Sequence, residues 1–140
     1  MTVSARLPLI VAVAAALSAS CATAPAELAQ SPGADRELAD ALEGRVAGPP
    51  KRCINNYSDT QVHVIDDWTI IYDEGSTIYL QKPRERCFGI GSGSRTLIAK
   101  QVGTGQMCDG DINETVNLQS RIGGSPCVFG PFIPYTRPKA

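Results

Sequence analysis

Apolar and polar positions alternate with a period of two through "TQVHVID", where Val62, Val64 and Asp66 fall on one side of an extended chain and His63, Ile65 and Asp67 on the other. That period matches the pleat of a β-strand and not the repeat of a helix. "WTIIYD" and "STIYLQ" follow as two runs of β-branched and aromatic residues. Between them, Asp73, Glu74, Gly75 and Ser76 supply a short connection with a glycine at hand for positive φ. The combination predicts a hairpin. Further strands are expected over "RTLIAKQV", "INETVNLQ" and "CVFGPFI", punctuated by Gly103, Gly105, Gly110, Gly123, Gly124 and several prolines. The folded unit reads as one all-β domain over residues 50–138, a small antiparallel sheet or a partly open barrel.

Upstream the pattern changes character. Arg6 precedes "LPLIVAVAAALSAS", an apolar run that ends in small residues, which is the order of a secretory signal peptide over residues 1–21. A spanning helix needs about 20 apolar residues, and this run turns small and polar from Ser18 to Thr23. "LSASCA" resembles the lipobox of bacterial lipoproteins, in which the cysteine, here Cys21, is lipidated. Ordinary cleavage within "SASCATA" is the alternative. Residues 22–49 are rich in Ala and Pro and read as a linker. Leu38, Leu42 and Val46 recur within it at helical spacing, with Asp35 as the expected N-cap and Gly48-Pro49-Pro50 as the stop, so a short, marginal helix fits there.

Cysteine content sharpens the picture. Of five cysteines, setting Cys21 aside leaves Cys53, Cys87, Cys108 and Cys127. An even, spaced set in an exported chain reads as two disulfides. A metal site is disfavoured because no Cys-x-x-Cys pair occurs and the single histidine, His63, has no partner at zinc-finger spacing. Four cysteines allow three pairings. Cys53 with Cys127 and Cys87 with Cys108 is favoured, since the ends of a small domain often meet and the inner pair brackets a hairpin-like stretch.

Charge excludes one class of partner. The formal net charge is −1, and four of the carboxylates, Asp35, Glu37, Asp40 and Glu43, lie in the linker, so the domain is nearly neutral. No basic field for nucleic acid is present. Lys82, Arg84 and Arg86 form the one local basic cluster and read as a solvated loop.

Four carboxylates, Asp66, Asp67, Asp73 and Glu74, crowd the first hairpin and raise the question of a catalytic or metal-binding cluster. Neighbours on a strand point to opposite faces, so Asp66 and Asp67 cannot share an ion or a proton. Asp73 and Glu74 fall in the turn, where short carboxylates accept backbone N–H bonds, and a turn or cap role is expected for all four. "CDGDINE" places Asp109, Asp111 and Asn113 at the first, third and fifth positions of a calcium loop, but Glu114 and Ser120 stand where an EF-hand needs glycine and glutamate. A loose calcium site on Asp109, Asp111 and Asn113 is the sharper reading, and a polar turn beside a disulfide the blander one. "CFGIGSGSR" lacks the spacing and the following helix of a phosphate loop. His63 is the one candidate imidazole base, with no Gly-x-Ser-x-Gly elbow to present a serine. "NYS" at Asn56 and "NET" at Asn113 match glycosylation acceptors, by chance in a chain with a bacterial export signal.

The cysteine-framed segments resemble an uncharacterised family, a domain of unknown function, of small secreted or lipoprotein-like proteobacterial proteins. The matching residues are Cys53-Ile54, Ile65-Asp66-Asp67 with Thr69-Ile70, Tyr79-Leu80, Cys87 and Gly89, Cys108 with Gly110-Asp111-Ile112, and Cys127, Gly130, Phe132 and Pro134-Tyr135-Thr136. Phe88 departs from the pattern, which has proline there. The resemblance implies an exported β domain and no reaction. The function expected from all of this is a non-enzymatic envelope module without cofactor that binds an envelope component, through Trp68, Tyr72, Tyr79 and Phe132 if these share an exposed face. Its membrane contact would be limited to a lipid on Cys21. The alternatives are a calcium-stabilised structural domain and a small hydrolase using His63.

Overall fold

The computed structural model of the protein describes residues 32–57, 59–99, 103 and 105–139; the expected signal segment and Cys21 lie outside the described residues. Helix α1 (Pro32–Ala41) is followed by β1 (Val46–Ala47), β2 (Cys53–Asn55), β3 (Gln61–Asp66), β4 (Thr69–Asp73), β5 (Thr77–Gln81), β6 (Arg95–Ile98), β7 (Gln106–Cys108), β8 (Ile112–Asn117), β9 (Gly123–Val128) and β10 (Phe132–Thr136). The strands pair antiparallel in three sheets, ordered β1-β10-β5-β4-β3, β2-β7 and β6-β8-β9. The protein is all-β with one short helix.

The expected hairpin forms where the period-two pattern placed it, with Tyr72 opposite Tyr79 and Asp73 opposite Ile78. Gly75 takes φ 78° in its turn, which only glycine adopts without cost, and the Asp73 Oδ1 accepts the Gly75 N–H at 2.7 Å. One strand earlier, β3 ends at Asp66 and the chain reverses through Asp67 and Trp68 into β4. Asp67 is therefore a turn residue and not the next position of the strand. "CVFGPFI" also divides, because Gly130 and Pro131 form a corner that passes the chain from β9 in one sheet to β10 in another. At that corner a Cβ on Gly130 would collide with the Lys82 carbonyl oxygen.

The five-stranded sheet is covered on both faces, which explains the near-continuous burial of β4 and β5. On one face Ile70, Tyr72, Tyr79 and Phe132 meet Ile54, Met107 and Phe129 from the smaller sheets and the corner. Tyr72, Phe129 and Phe132 pack edge to face with ring centroids 5.8 to 6.2 Å apart. Each such ring, fully buried, contributes about 1.5–3 kcal/mol. On the other face Ile65, Ile71, Ile78 and Leu80 lie beneath α1.

That second layer corrects the expected boundary between linker and domain. Ala34 is buried, and Leu38, Ala41 and Leu42 pack on the sheet, so the segment read as linker is part of the fold from Pro32 onward. Asp35 sits inside the first turn of α1 and does not cap it. The helical region stops near Gly44, with φ 68°, well before Gly48-Pro49-Pro50. Val46 belongs to β1 and is exposed. An apolar spacing of four was legible, but its partner surface was not.

Both disulfides form, with the pairing exchanged relative to the favoured one: Cys53 bonds Cys108, and Cys87 bonds Cys127. The ends of the domain do meet, through backbone and not through sulfur. Lys51 N–H donates to the Phe132 carbonyl at 2.7 Å, and Phe132 N–H returns a bond to Lys51 at 2.9 Å. Register then decides the cysteines. Cys53 stands directly opposite Cys108 in the β2–β7 ladder, with Cα atoms 4.0 Å apart, which leaves Cys127 on β9 to reach Cys87 after β5. Two disulfides and the fold they crosslink belong to an oxidising, exported environment. No helix among the described residues is long and apolar enough to cross a membrane.

Candidate functional site

Three of the four carboxylates of the first hairpin take individual hydrogen-bonding duties. Asp66 Oδ1 accepts the Trp68 N–H at 2.8 Å and closes the β3–β4 turn; Asp73 does the same for Gly75. Asp67 reaches across to the segment after β5. Its Oδ1 accepts N–H bonds from Gly89 at 3.1 Å and Gly91 at 2.9 Å, and its Oδ2 takes Arg86 Nε at 2.9 Å and Nη2 at 2.8 Å. The backbone joins in, since Cys87 N–H donates to the Asp67 carbonyl. Burial pulls the Asp67 carboxyl upward, but the Gly91 and Gly89 N–H groups and the Arg86 guanidinium outweigh it and hold it below the usual carboxylate range.

That single carboxylate shapes the 88–94 segment. Gly91 lies against the β3–β4 turn so closely that a Cβ there would stand 2.7 Å from Asp66 Cα and 2.9 Å from Asp67 N. The glycines of "CFGIGSGSR" therefore serve close approach to a neighbouring turn, and the segment is a tethered loop. Ser92 and Ser94 hydroxyls bond each other at 2.8 Å, and each reaches the Gly89 carbonyl. Between this loop and the β3–β4 turn lies a cleft of about 560 Å3 lined by Trp68, Phe88, Arg86, Asp67, Ser92 and Ser94, among others. Phe88 is 54% exposed, with the Arg86 guanidinium 5.0 Å from its ring centroid. Trp68 is partly exposed.

Of the four aromatics expected on an exposed face, three are core: Tyr72 and Tyr79 are buried and Phe132 is fully so. Of the four, only Trp68 reaches the surface, and the cleft it lines is shared with Phe88, the residue that departs from the family motif. Burial also pushes the Tyr72 hydroxyl far above its ordinary value.

Arg84 and Arg86 are exposed on a loop, as expected, and both are paired. Arg84 Nη2 and Nε meet Asp109 Oδ1 at 2.7 and 3.1 Å. Asp111 Oδ2 accepts the Cys108 N–H at 2.7 Å across a turn in which Gly110 has φ 92°, and the buried Asn113 donates to the Asp111 carbonyl. Asp109, Asp111 and Asn113 thus brace the turn beside the Cys53–Cys108 bond, and among the described residues no three His, Cys, Asp or Glu side chains are grouped to hold a metal ion.

His63 lies exposed on β3 beside a groove of about 320 Å3 between α1 and the sheet, bordered by Glu37, Asp40, Glu43, Asp73 and Arg45. The described residues lining that groove include no serine, threonine or cysteine beside His63. Arg45 is engaged with the carbonyls of Gly75 and Ser76 at 3.2 and 3.1 Å.

No family model matches the chain, and no curated protein or solved structure matches it either. Fold and cleft together define a class: a small, disulfide-crosslinked, all-β exported module with a surface cleft built on a carboxylate-anchored loop.

Proposed function

We propose that the protein is a non-enzymatic binding module of the bacterial cell envelope, and that the cleft between the β3–β4 turn and the 88–94 loop is where it binds. The observation that carries this reading is the meeting of two accessible aromatic side chains, Trp68 and Phe88, with the Ser92 and Ser94 hydroxyls on a loop held by Asp67. A shallow site of this kind favours an uncharged, polyhydroxylated ligand. Ring faces stack on sugar C–H groups while hydroxyls and backbone groups exchange hydrogen bonds, and the neighbouring Asp67–Arg86 pair adds little net charge. Because the loop is already tied down, little ordering would oppose binding.

The finer location belongs to the same proposal. The charge-then-apolar-then-small order of residues 1–21 and the lipobox-like "LSASCA" support export to the periplasm, with a lipid on Cys21 as the tether to the outer membrane. The intact mass of the exported protein separates a lipidated Cys21 from plain cleavage.

The binding test is an amide NMR titration with soluble peptidoglycan fragments and envelope oligosaccharides. Shifts are expected at Trp68 and through 88–94, and Phe88→Ala is expected to weaken binding by about tenfold or more, equivalent to about 1.4 kcal/mol, while leaving the remaining spectrum in place. A panel that produces no shifts, or shifts confined to the face under α1, would refute the assignment.

A further inference from the structure

The two disulfides differ in a way that the binding reading does not use. Cys87 and Cys127 are both 0% exposed and sit in the apolar cluster with Ile70, Tyr72, Phe129 and Phe132. Cys53 and Cys108 are only partly buried. They lie at one end of a two-stranded sheet of three-residue strands, opposite each other in register. Beyond the disulfide the ladder carries one more backbone bond, Asp109 N–H to the Arg52 carbonyl at 2.7 Å, before the chain turns at Gly110.

We propose that Cys53–Cys108 is a thiol–disulfide exchange site that dithiol reductants or oxidoreductases of the envelope open in the native protein, while Cys87–Cys127 remains closed. An attacking thiolate must reach a sulfur. Cys53–Cys108 is partly exposed at the end of its ladder, so fraying that end, with Ile54 and Met107 still buried, is enough; at Cys87–Cys127 attack requires opening the main core, an event close to global unfolding. The exchange balances within the dithiol. One reductant thiolate attacks a sulfur of the pair and forms a mixed disulfide, and the other protein sulfur leaves as a thiolate that takes up a proton. The second reductant thiol then attacks the mixed disulfide, releasing the remaining protein thiol and oxidising the reductant to its own disulfide. Two electrons and two protons pass to Cys53 and Cys108.

The product keeps its core. The five-stranded sheet contains neither cysteine of the opened pair, and Ile54 and Met107 remain as buried anchors for β2 and β7. The opened pair borders the 108–111 turn, which stays tied to the core by Gly110 N–H to the Phe129 carbonyl at 2.9 Å and Phe129 N–H to the Asp111 carbonyl at 3.0 Å. The exchange site thus acts on one corner of the molecule and spares the cleft on the Asp67 loop.

The test is graded reduction of the native full chain by dithiothreitol and, separately, by a thioredoxin-type dithiol enzyme, each quenched with iodoacetamide and mapped by peptide mass. A two-thiol species labelled at Cys53 and Cys108 is expected on the order of tenfold or more before any label appears at Cys87 or Cys127, with the near-ultraviolet circular dichroism of the core aromatics retained. Simultaneous labelling of all four, or earlier labelling of Cys87 and Cys127, overturns the proposal. As an independent check, the double variant Cys53→Ser/Cys108→Ser is expected to fold and to hold its remaining disulfide against the same reductant until denaturant is added. Loss of that disulfide at the rate of the wild-type first step counts equally against it.

Discussion

Asp67 shows how much one side chain decides here. Two backbone N–H groups and one guanidinium converge on it, and without it the part-buried Gly89 donor loses its acceptor while the exposed Gly91 donor turns to solvent. Asp67→Ala is expected to lower the unfolding free energy by about 3 kcal/mol in urea titrations, and Asp67→Asn, which keeps an acceptor for the glycines, by less. The pH dependence has a definite sign. A carboxyl whose folded pKa is depressed contributes stability above its unfolded pKa of about 3.9, and that contribution is lost as pH falls through the lower folded value. Wild type and Asp67→Asn should therefore converge in stability as pH falls through that lower folded value. Glu74 works the other way: burial first, then the Asp59 carboxylate, raise its pKa against the pull of Lys51. Its contribution to folding grows as pH falls through that raised value. Glu74→Gln is expected to raise the melting temperature at pH 7 and to lose the advantage in acid, and a constant difference across pH would contradict the assignment.

At the scale of elements, the loop of residues 88–94 and helix α1 carry the two departures from pattern reading. A glycine-rich stretch reads as flexible when only its own residues are considered. Here Gly91 is the point at which two backbones touch, so Gly91→Ala is expected to cost about 1–3 kcal/mol and to shift the amide resonances of Asp66, Asp67 and the cleft together. An alanine there that left stability unchanged would show that the loop does not press on the turn. The helix is marginal by itself, yet it covers Ile71 and Ile78. Ala34→Arg, which forces a charge into that contact, is expected to lower the melting temperature and to expose apolar surface detectable by dye binding.

For the whole molecule, the crosslinks set the scale of stability. Chain-entropy arguments give each disulfide, closing sequence separations of 55 and 40, about 4 kcal/mol. Removing the buried pair by Cys87→Ser/Cys127→Ser also places two hydroxyls in the apolar core, so this variant is expected to lose more stability in chemical denaturation than Cys53→Ser/Cys108→Ser. Equal losses would mean that burial of Cys87 and Cys127 adds nothing to the crosslink.

Local chemistry in the chain was enough to determine the strands β3, β4, β5 and β8, the Gly75 turn, the even set of four cysteines in disulfides and the duty of Asp73. Each of these depends on side-chain period or on residues within a few positions of one another. Cysteine pairing, the docking of α1, the burial of Tyr72, Tyr79 and Phe132, and the Asp67 anchor depend on which strands become neighbours across tens of residues. Period-two alternation specifies that a strand has two faces, but only the assembled sheets decide what covers each face, and that is a property of tertiary contact.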